Sequence, residues 1–123
     1  MERSLKFFLS MRTLSVLSCF LVHLGSLYAK DPKICITQLV SHPSLDQVYA
    51  GIRDVLEDEG ICSEKSIVYK IAYGNIATST QIAQAFIDEH PDVIVSISTP
   101  SAQTTKAALK EEPIPHVFTA VTD

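Results

Sequence analysis

The chain has 123 residues, 46% of them hydrophobic and 20% charged, which suits one small globular domain and gives no sign of disorder. Its net charge is −4, and basic residues gather nowhere beyond the N-terminus. That excludes the electrostatic footprint of a nucleic-acid binder.

Residues 1–29 read as a secretory signal peptide rather than as part of the fold. Arg3 and Lys6 precede Phe7-Phe8-Leu9, and Met11-Arg12 opens a second, cleaner version of the same pattern, so Met11 is an alternative start. Residues 14–24 are apolar except for Ser15, Ser18 and His23, too short a run for a membrane span of about 20 residues. Small residues then lead to the abruptly polar Lys30-Asp31-Pro32, and cleavage is expected after Ala29, with secretion of the mature chain. Val16-Leu17-Ser18-Cys19 faintly resembles a lipoprotein box, but cleavage there would leave Phe20-Leu21-Val22 exposed, which disfavours a lipid anchor. Removal of the leader takes Arg3, Lys6, Arg12 and Glu2 with it, leaving 7 basic and 13 acidic residues and an acidic surface of net charge −6. Two cysteines remain, Cys35 and Cys62. In an oxidising compartment they could pair, whereas Cys35 within a strand reads as a small core hydrophobe.

The remaining chain alternates between two hydrophobic periods. Residues 33–40 form a first apolar strand, and Ser41-His42-Pro43-Ser44 is the turn after it. Leu45, Val48, Tyr49, Ile52, Val55 and Leu56 recur at helical spacing, with Asp54, Glu57, Asp58 and Glu59 on the wet face and Gly60 where a helix ends. Residues 66–73 form a second strand, broken by Gly74-Asn75. Residues 78–90 form a second amphipathic helix, with Ile82, Ala83, Ala85, Phe86 and Ile87 turned inward. The run from Val93 to Ile97 is β-branched and apolar, a strand buried on both faces. Ser98-Thr99-Pro100-Ser101 follows it and opens a third helix. Proline suits the first helical turn, and the hydroxyls beside it are expected to cap the free backbone N–H groups. Glu111-Glu112-Pro113 stops that helix, and residues 116–121 form a fourth strand.

This βαβαβαβ order predicts an α/β fold, an open parallel sheet of four strands with helices on both faces. Right-handed crossovers then bring the strand carboxyl ends to one edge, where four polar segments gather: residues 38–44, 73–79, 98–103 and 119–123. In open α/β sheets ligands sit at that edge, and a helix N-terminus there favours an anionic group such as a carboxylate. Gln38 and Thr119 stand at strand ends. His42 has two readings, reaching a ligand or bracing its own turn. Asp46, in a first helical turn, is explained by the helix dipole alone. No glycine-rich dinucleotide loop, phosphate loop or Gly-x-Ser-x-Gly elbow occurs, and His42, His90 and His116 match no metal spacing, so neither catalysis nor a cofactor is expected.

At these same segments the chain resembles a known family. Ile36-Thr37-Gln38 with His42-Pro43 and Leu45-Asp46, Pro91-Asp92-Val93-Ile94-Val95, Thr99-Pro100-Ser101-Ala102-Gln103, and Val117-Phe118-Thr119-Ala120-Val121-Thr122-Asp123 look like the substrate-binding proteins of ABC transporters grouped with tryptophan- and tyrosine-binding members. The resemblance implies the Rossmann-like lobe of a type I periplasmic binding protein, an amino acid as small-molecule ligand (aromatic favoured), a membrane permease as partner, and secretion across the inner membrane to the periplasm. Under it, the ligand carboxylate is expected at the hydroxyls of Thr99 and Ser101 and the N–H groups of Ala102 and Gln103, and the ammonium at Asp123. Tyr73 is either a flat partner for an aromatic side chain or a core packing residue.

Family members carry a second lobe of similar size, and in them the Val121-Thr122-Asp123 segment continues through a proline. Residues 30–123 are therefore expected to be the N-terminal lobe alone, as a truncated reading frame or a degenerate copy. A ligand-sensing domain of a signalling system is the alternative function, since that fold is shared with regulators.

Overall fold

The computed structural model describes residues 30–122; the expected signal peptide and Asp123 lie outside them. The order is β1 (Ile34–Gln38), α1 (Pro43–Asp58), a 3-10 turn (Glu64–Ser66), β2 (Ile67–Ile71), α2 (Ile76–Asp88), β3 (Val93–Ile97), α3 (Thr99–Leu109) and β4 (His116–Thr119). All strand pairs are parallel, in the order β2-β1-β3-β4. β1 and β3 are central, and β1 is buried along its whole length, as its apolar run requires.

The pleat sends alternate residues of each strand to opposite faces, and each face has its own core. Ile34, Ile36, Val95 and Ile97 pack with Cys62 beneath α1, whose Leu45, Val48, Tyr49, Ile52 and Leu56 cover them. Cys35 and Ile94 pack with Ala72, Ile82, Phe86 and Leu109 beneath α2 and α3. Helices therefore cover both faces, as predicted. Cys35 and Cys62 are free, buried and in different clusters. Burial pushes the Cys35 thiol up to about 11, which leaves it an inert core residue.

Several boundaries move. β1 ends at Gln38, because Leu39 and Val40 turn away as a bend. β2 stops at Ile71, and Tyr73-Gly74 form the turn, with φ of 51° and 79°. α1 begins at Pro43, which fills the first helical turn where a missing N–H costs nothing, and Gly60 at φ 63° ends it. Val55 does not face the sheet. It flanks the Ile52–Leu56 stripe and is 58% exposed. β4 is only four residues long and forms one edge of the sheet, with Val117 and Phe118 exposed.

Candidate functional site

The chain leaves β1 toward β2 on one side and later returns to β3 on the other. The switch point therefore lies between β1 and β3, where Gln38 pairs with Ile97. Ligands of open α/β sheets bind outside the strand carboxyl ends at such a point. Three non-glycine residues within two positions of strand ends have positive φ: Tyr73 at 51°, Ser98 at 89° and Ala120 at 53°. Backbone strain of about 1–3 kcal/mol per residue is thus stored on this edge, while the two other described non-glycine residues of positive φ, His90 and Lys110, end α2 and α3 at the opposite edge.

All three helices start here, and two are closed by their own side chains. Asn75 caps α2 by accepting the Thr78 N–H at 3.0 Å. His42 caps α1, its Nδ1 lying 2.7 Å from Ser44 Oγ and accepting the Ser44 N–H at 3.4 Å. Of its two readings, the structure shows His42 bracing its own turn.

α3 is different. Ser98, its N-cap residue, makes no side-chain capping bond, which corrects the expectation that the hydroxyls close this helix. The reason is its backbone: φ 89° and ψ 154° lie in a region populated almost only by glycine, outside the extended geometry from which a cap side chain reaches the N–H groups. Ser98 Oγ instead donates to Ser101 Oγ at 3.4 Å. Ala102 N–H already donates to Ser98 O at 3.0 Å, and Gln103 N–H, on the fifth helical residue, is spent within the helix. The expected donors Ala102 and Gln103 are therefore occupied. Among the described residues, the N–H groups of Thr99 and Ser101 are the ones left without an acceptor at this start.

Other predicted residues are placed as follows. Ser101 is fully buried against the sheet, in one stripe with Thr105 and Leu109. Thr99 Oγ1 donates to Thr122 O at 3.2 Å and accepts the Thr122 N–H at 3.0 Å, joining the start of α3 to the end of β4. Thr119 O accepts the Ser98 N–H at 3.0 Å, which fixes the strained residue. Tyr73 is 84% exposed, so of its two readings core packing is set aside. Gln103 is exposed and lines, with Thr99, Ala102, Lys106, His116, Phe118 and Val121, a mostly apolar cavity of about 210 Å³ between α3 and β4. A larger groove of about 530 Å³ lies between the C-terminal halves of α2 and α3, away from the carboxyl edge.

Gln38 is fully buried at the end of β1. Its Nε2 donates to Val40 O at 2.6 Å and to Asp46 Oδ1 at 2.7 Å, and its Oε1 has no partner. Asp46 also accepts from Ser41 Oγ at 2.9 Å. The Gln38 bond, then the Ser41 bond, holds the Asp46 carboxyl below its usual range. Sequence reasoning passed over Asp46 as a dipole partner. The available signal was that it is the one carboxylate in the turns following β1, β2 and β3. Among the described residues, no three His, Cys, Asp or Glu side chains converge as metal ligands.

Known proteins share this architecture and sequence. A tyrosine-binding protein of Clostridioides difficile is 42% identical over 96 residues, which are 76% of this chain and 27% of that protein. Among solved structures, a conserved domain protein of Vibrio cholerae O1 superposes with a TM-score of 0.70 at 45% identity, covering 76% of this chain and 32% of that one. An ABC domain of Streptococcus pneumoniae in complex with L-Trp gives 0.69 at 34% identity, again over 76% and 32%. The chain thus spans about a third of these relatives or less. Residues 33–123 match the profile described as ABC transporter substrate binding protein, and the chain belongs to that family.

Proposed function

We propose that this chain is the ligand-binding N-terminal lobe of an exported, periplasmic substrate-binding protein, which takes up a free amino acid, preferably aromatic, for a membrane permease. The observation that carries the reading is the unclosed start of α3 at the switch point. Two neighbouring helices spend side chains on their own termini, while α3 keeps the N–H group of the half-buried Thr99 free for an anionic group such as a carboxylate, with the buried Ser101 N–H behind it adding only to the positive end of the helix. Tyr73, held out by its left-handed backbone, offers a ring to an aromatic side chain. The tyrosine-binding relative and the neighbour solved with L-Trp support the ligand class. Asp123, a further candidate for the ammonium, lies outside the described residues.

Calorimetric titration of the full chain with the free amino acids and with neutral sugars tests this. Saturable heat is expected with tryptophan or tyrosine and none with sugars. Binding of sugars alone would overturn the assignment.

A further inference from the structure

The amino-acid reading leaves the ligand's positive end without a described partner. We propose that Asp46 binds the ligand ammonium, and that Gln38 is the residue that positions its carboxylate. The proposal rests on that reading and adds the second half of the site.

The first observation is charge. The edge residues described, 38–46, 72–79, 98–103 and 119–122, contain no lysine or arginine and a single carboxylate, Asp46. Opposite it stands the partial positive charge of the open α3 start. Gln38, which holds Asp46, and Ile97, which leads into that start, are register partners on adjacent strands, about 4.8 Å apart. A zwitterion seated at the switch point would meet opposite charges on its two sides.

The second observation is how Asp46 is held. Each carboxylate oxygen takes one side-chain donor, Oδ1 from Gln38 and Oδ2 from Ser41, which leaves a lone pair free on each. The side chain is half-buried, and the same two bonds keep it ionised at neutral pH. A dipole partner at a helix start needs neither bond.

The third observation is the state of Gln38. Turning its amide over would set Oε1 against Asp46 Oδ1 and Val40 O, so the two acceptors fix one orientation. In that orientation Oε1 is buried without a donor, an arrangement native folds rarely keep. Stability alone does not favour it. What it secures is a carboxylate locked in place before a ligand arrives, as a preorganised binding group requires.

Aromatic groups complete the corner. Burial, and after it the charge of Asp46, pushes the Tyr69 phenol up to about 12, so the ring next to Asp46 is a neutral face. Tyr69 stacks on Tyr49 with ring centroids 3.7 Å apart, and Tyr73 stands exposed two residues beyond the end of β2. A carboxylate beside tyrosine rings suits an ammonium ion.

The test titrates the full chain with L-tryptophan, with tryptamine, which lacks the carboxylate, and with indolepropionate, which lacks the amine. Asp46→Asn keeps the shape of the side chain and removes its charge. It is expected to weaken L-tryptophan and tryptamine on the order of 10- to 100-fold and to leave indolepropionate within about twofold. Gln38→Met frees Asp46 without discharging it, and a smaller loss, roughly 3- to 10-fold, is expected for the two amines alone. Equal weakening of all three probes, or no change with the amines, overturns the proposal and leaves the amino-acid reading standing. A parent chain that binds no amino acid overturns both.

Discussion

The starts of α1 and α3 stand side by side at the carboxyl edge of the central strands, and they solve the same physical problem in opposite ways. Each helix has backbone N–H groups with no acceptor in the turn before them. At α1, His42 caps the first turn, Asp46 adds a negative charge to it, and Gln38 and Ser41 tie that charge to the strand. At α3 there is no capping side chain and no acidic residue in the first turn, and the residue in the cap position is strained. The His42 cap closes the α1 terminus from within and leaves the charge of Asp46, held by Gln38 and Ser41, as what that start presents to the edge. A start left open at a switch point, at the cost of strain, is arranged for something that arrives from outside.

α3 is held along its flank as well as by the Thr99 side chain at its tip. Ser101, Thr105 and Leu109, spaced at i, i+4 and i+8, are its buried residues, and Thr105 accepts a hydrogen bond from Ser96 of β3 at 2.9 Å. With Thr99 Oγ1 tied to Thr122, the helix is fixed by side chains and leaves the Thr99 N–H unspent.

The sharpest way to break this contrast is to close α3. Thr99→Asp puts a carboxylate at its first residue, where it should suit the helix dipole and still accept the Thr122 N–H, gains that offset the lost donor to Thr122 O. Folding stability should hold to within about 1 kcal/mol. Amino-acid binding should fall by about 100-fold, since a charge-assisted bond becomes a repulsion. Calorimetry would then show the loss while thermal unfolding of the same sample stays nearly unchanged. If binding persists, the open start is not where the ligand carboxylate sits.

A smaller effect is expected at the strained residue. Ser98→Gly suits φ 89° and should release part of the strain, raising stability by about 1 kcal/mol after the entropic cost of glycine. Urea denaturation would show the midpoint rising at constant slope. A fall in stability would mean that the Ser98 hydroxyl contributes more than its backbone costs. At a closed start the sign reverses. Asn75→Ala should lose about 1 kcal/mol by the same measurement and leave ligand affinity unchanged, because that cap serves α2 alone.

The strands and helices were legible because their periods differ: the run from Val93 to Ile97 and the spacing of Ile82, Ala83 and Phe86 have no second reading. The edge was legible as well, since parallel connections bring the polar turns together. Side-chain geometry within it was not. Nothing in Ser98 announces a glycine-like φ, which is imposed by Thr119 O accepting its N–H and by the packing of Ser101. Asp46 looked like a dipole partner because its bond to Gln38 spans eight residues and exists only once β1 and α1 are docked. Thr99 and Ser101 read as free hydroxyls, yet one ties down Thr122 and the other is buried.

The smallest effect concerns what anchors α3 from behind. Ser96 Oγ commits its proton to Thr105, so His116 Nε2 carries a hydrogen and donates it to Ser96 at 2.9 Å. Burial, and then the positive charge of Lys106, holds the His116 pKa below its ordinary 6.5. The folded state thus resists a proton that the unfolded chain accepts near pH 6.5. Stability is complete above that pH, declines as pH falls through it, and stops declining once the folded imidazole is itself protonated. The carboxylates of Asp31, Asp46 and Glu89, all held below their ordinary values of 3.8 to 4.5, act in a separate window further down. Urea midpoints measured at about pH 7.5, 6.5 and 5.5 should therefore fall in the parent chain and stay nearly level in His116→Gln, which keeps an N–H for Ser96 but does not titrate. An equal slope in both chains would place the titrating group elsewhere and remove His116 from the anchor.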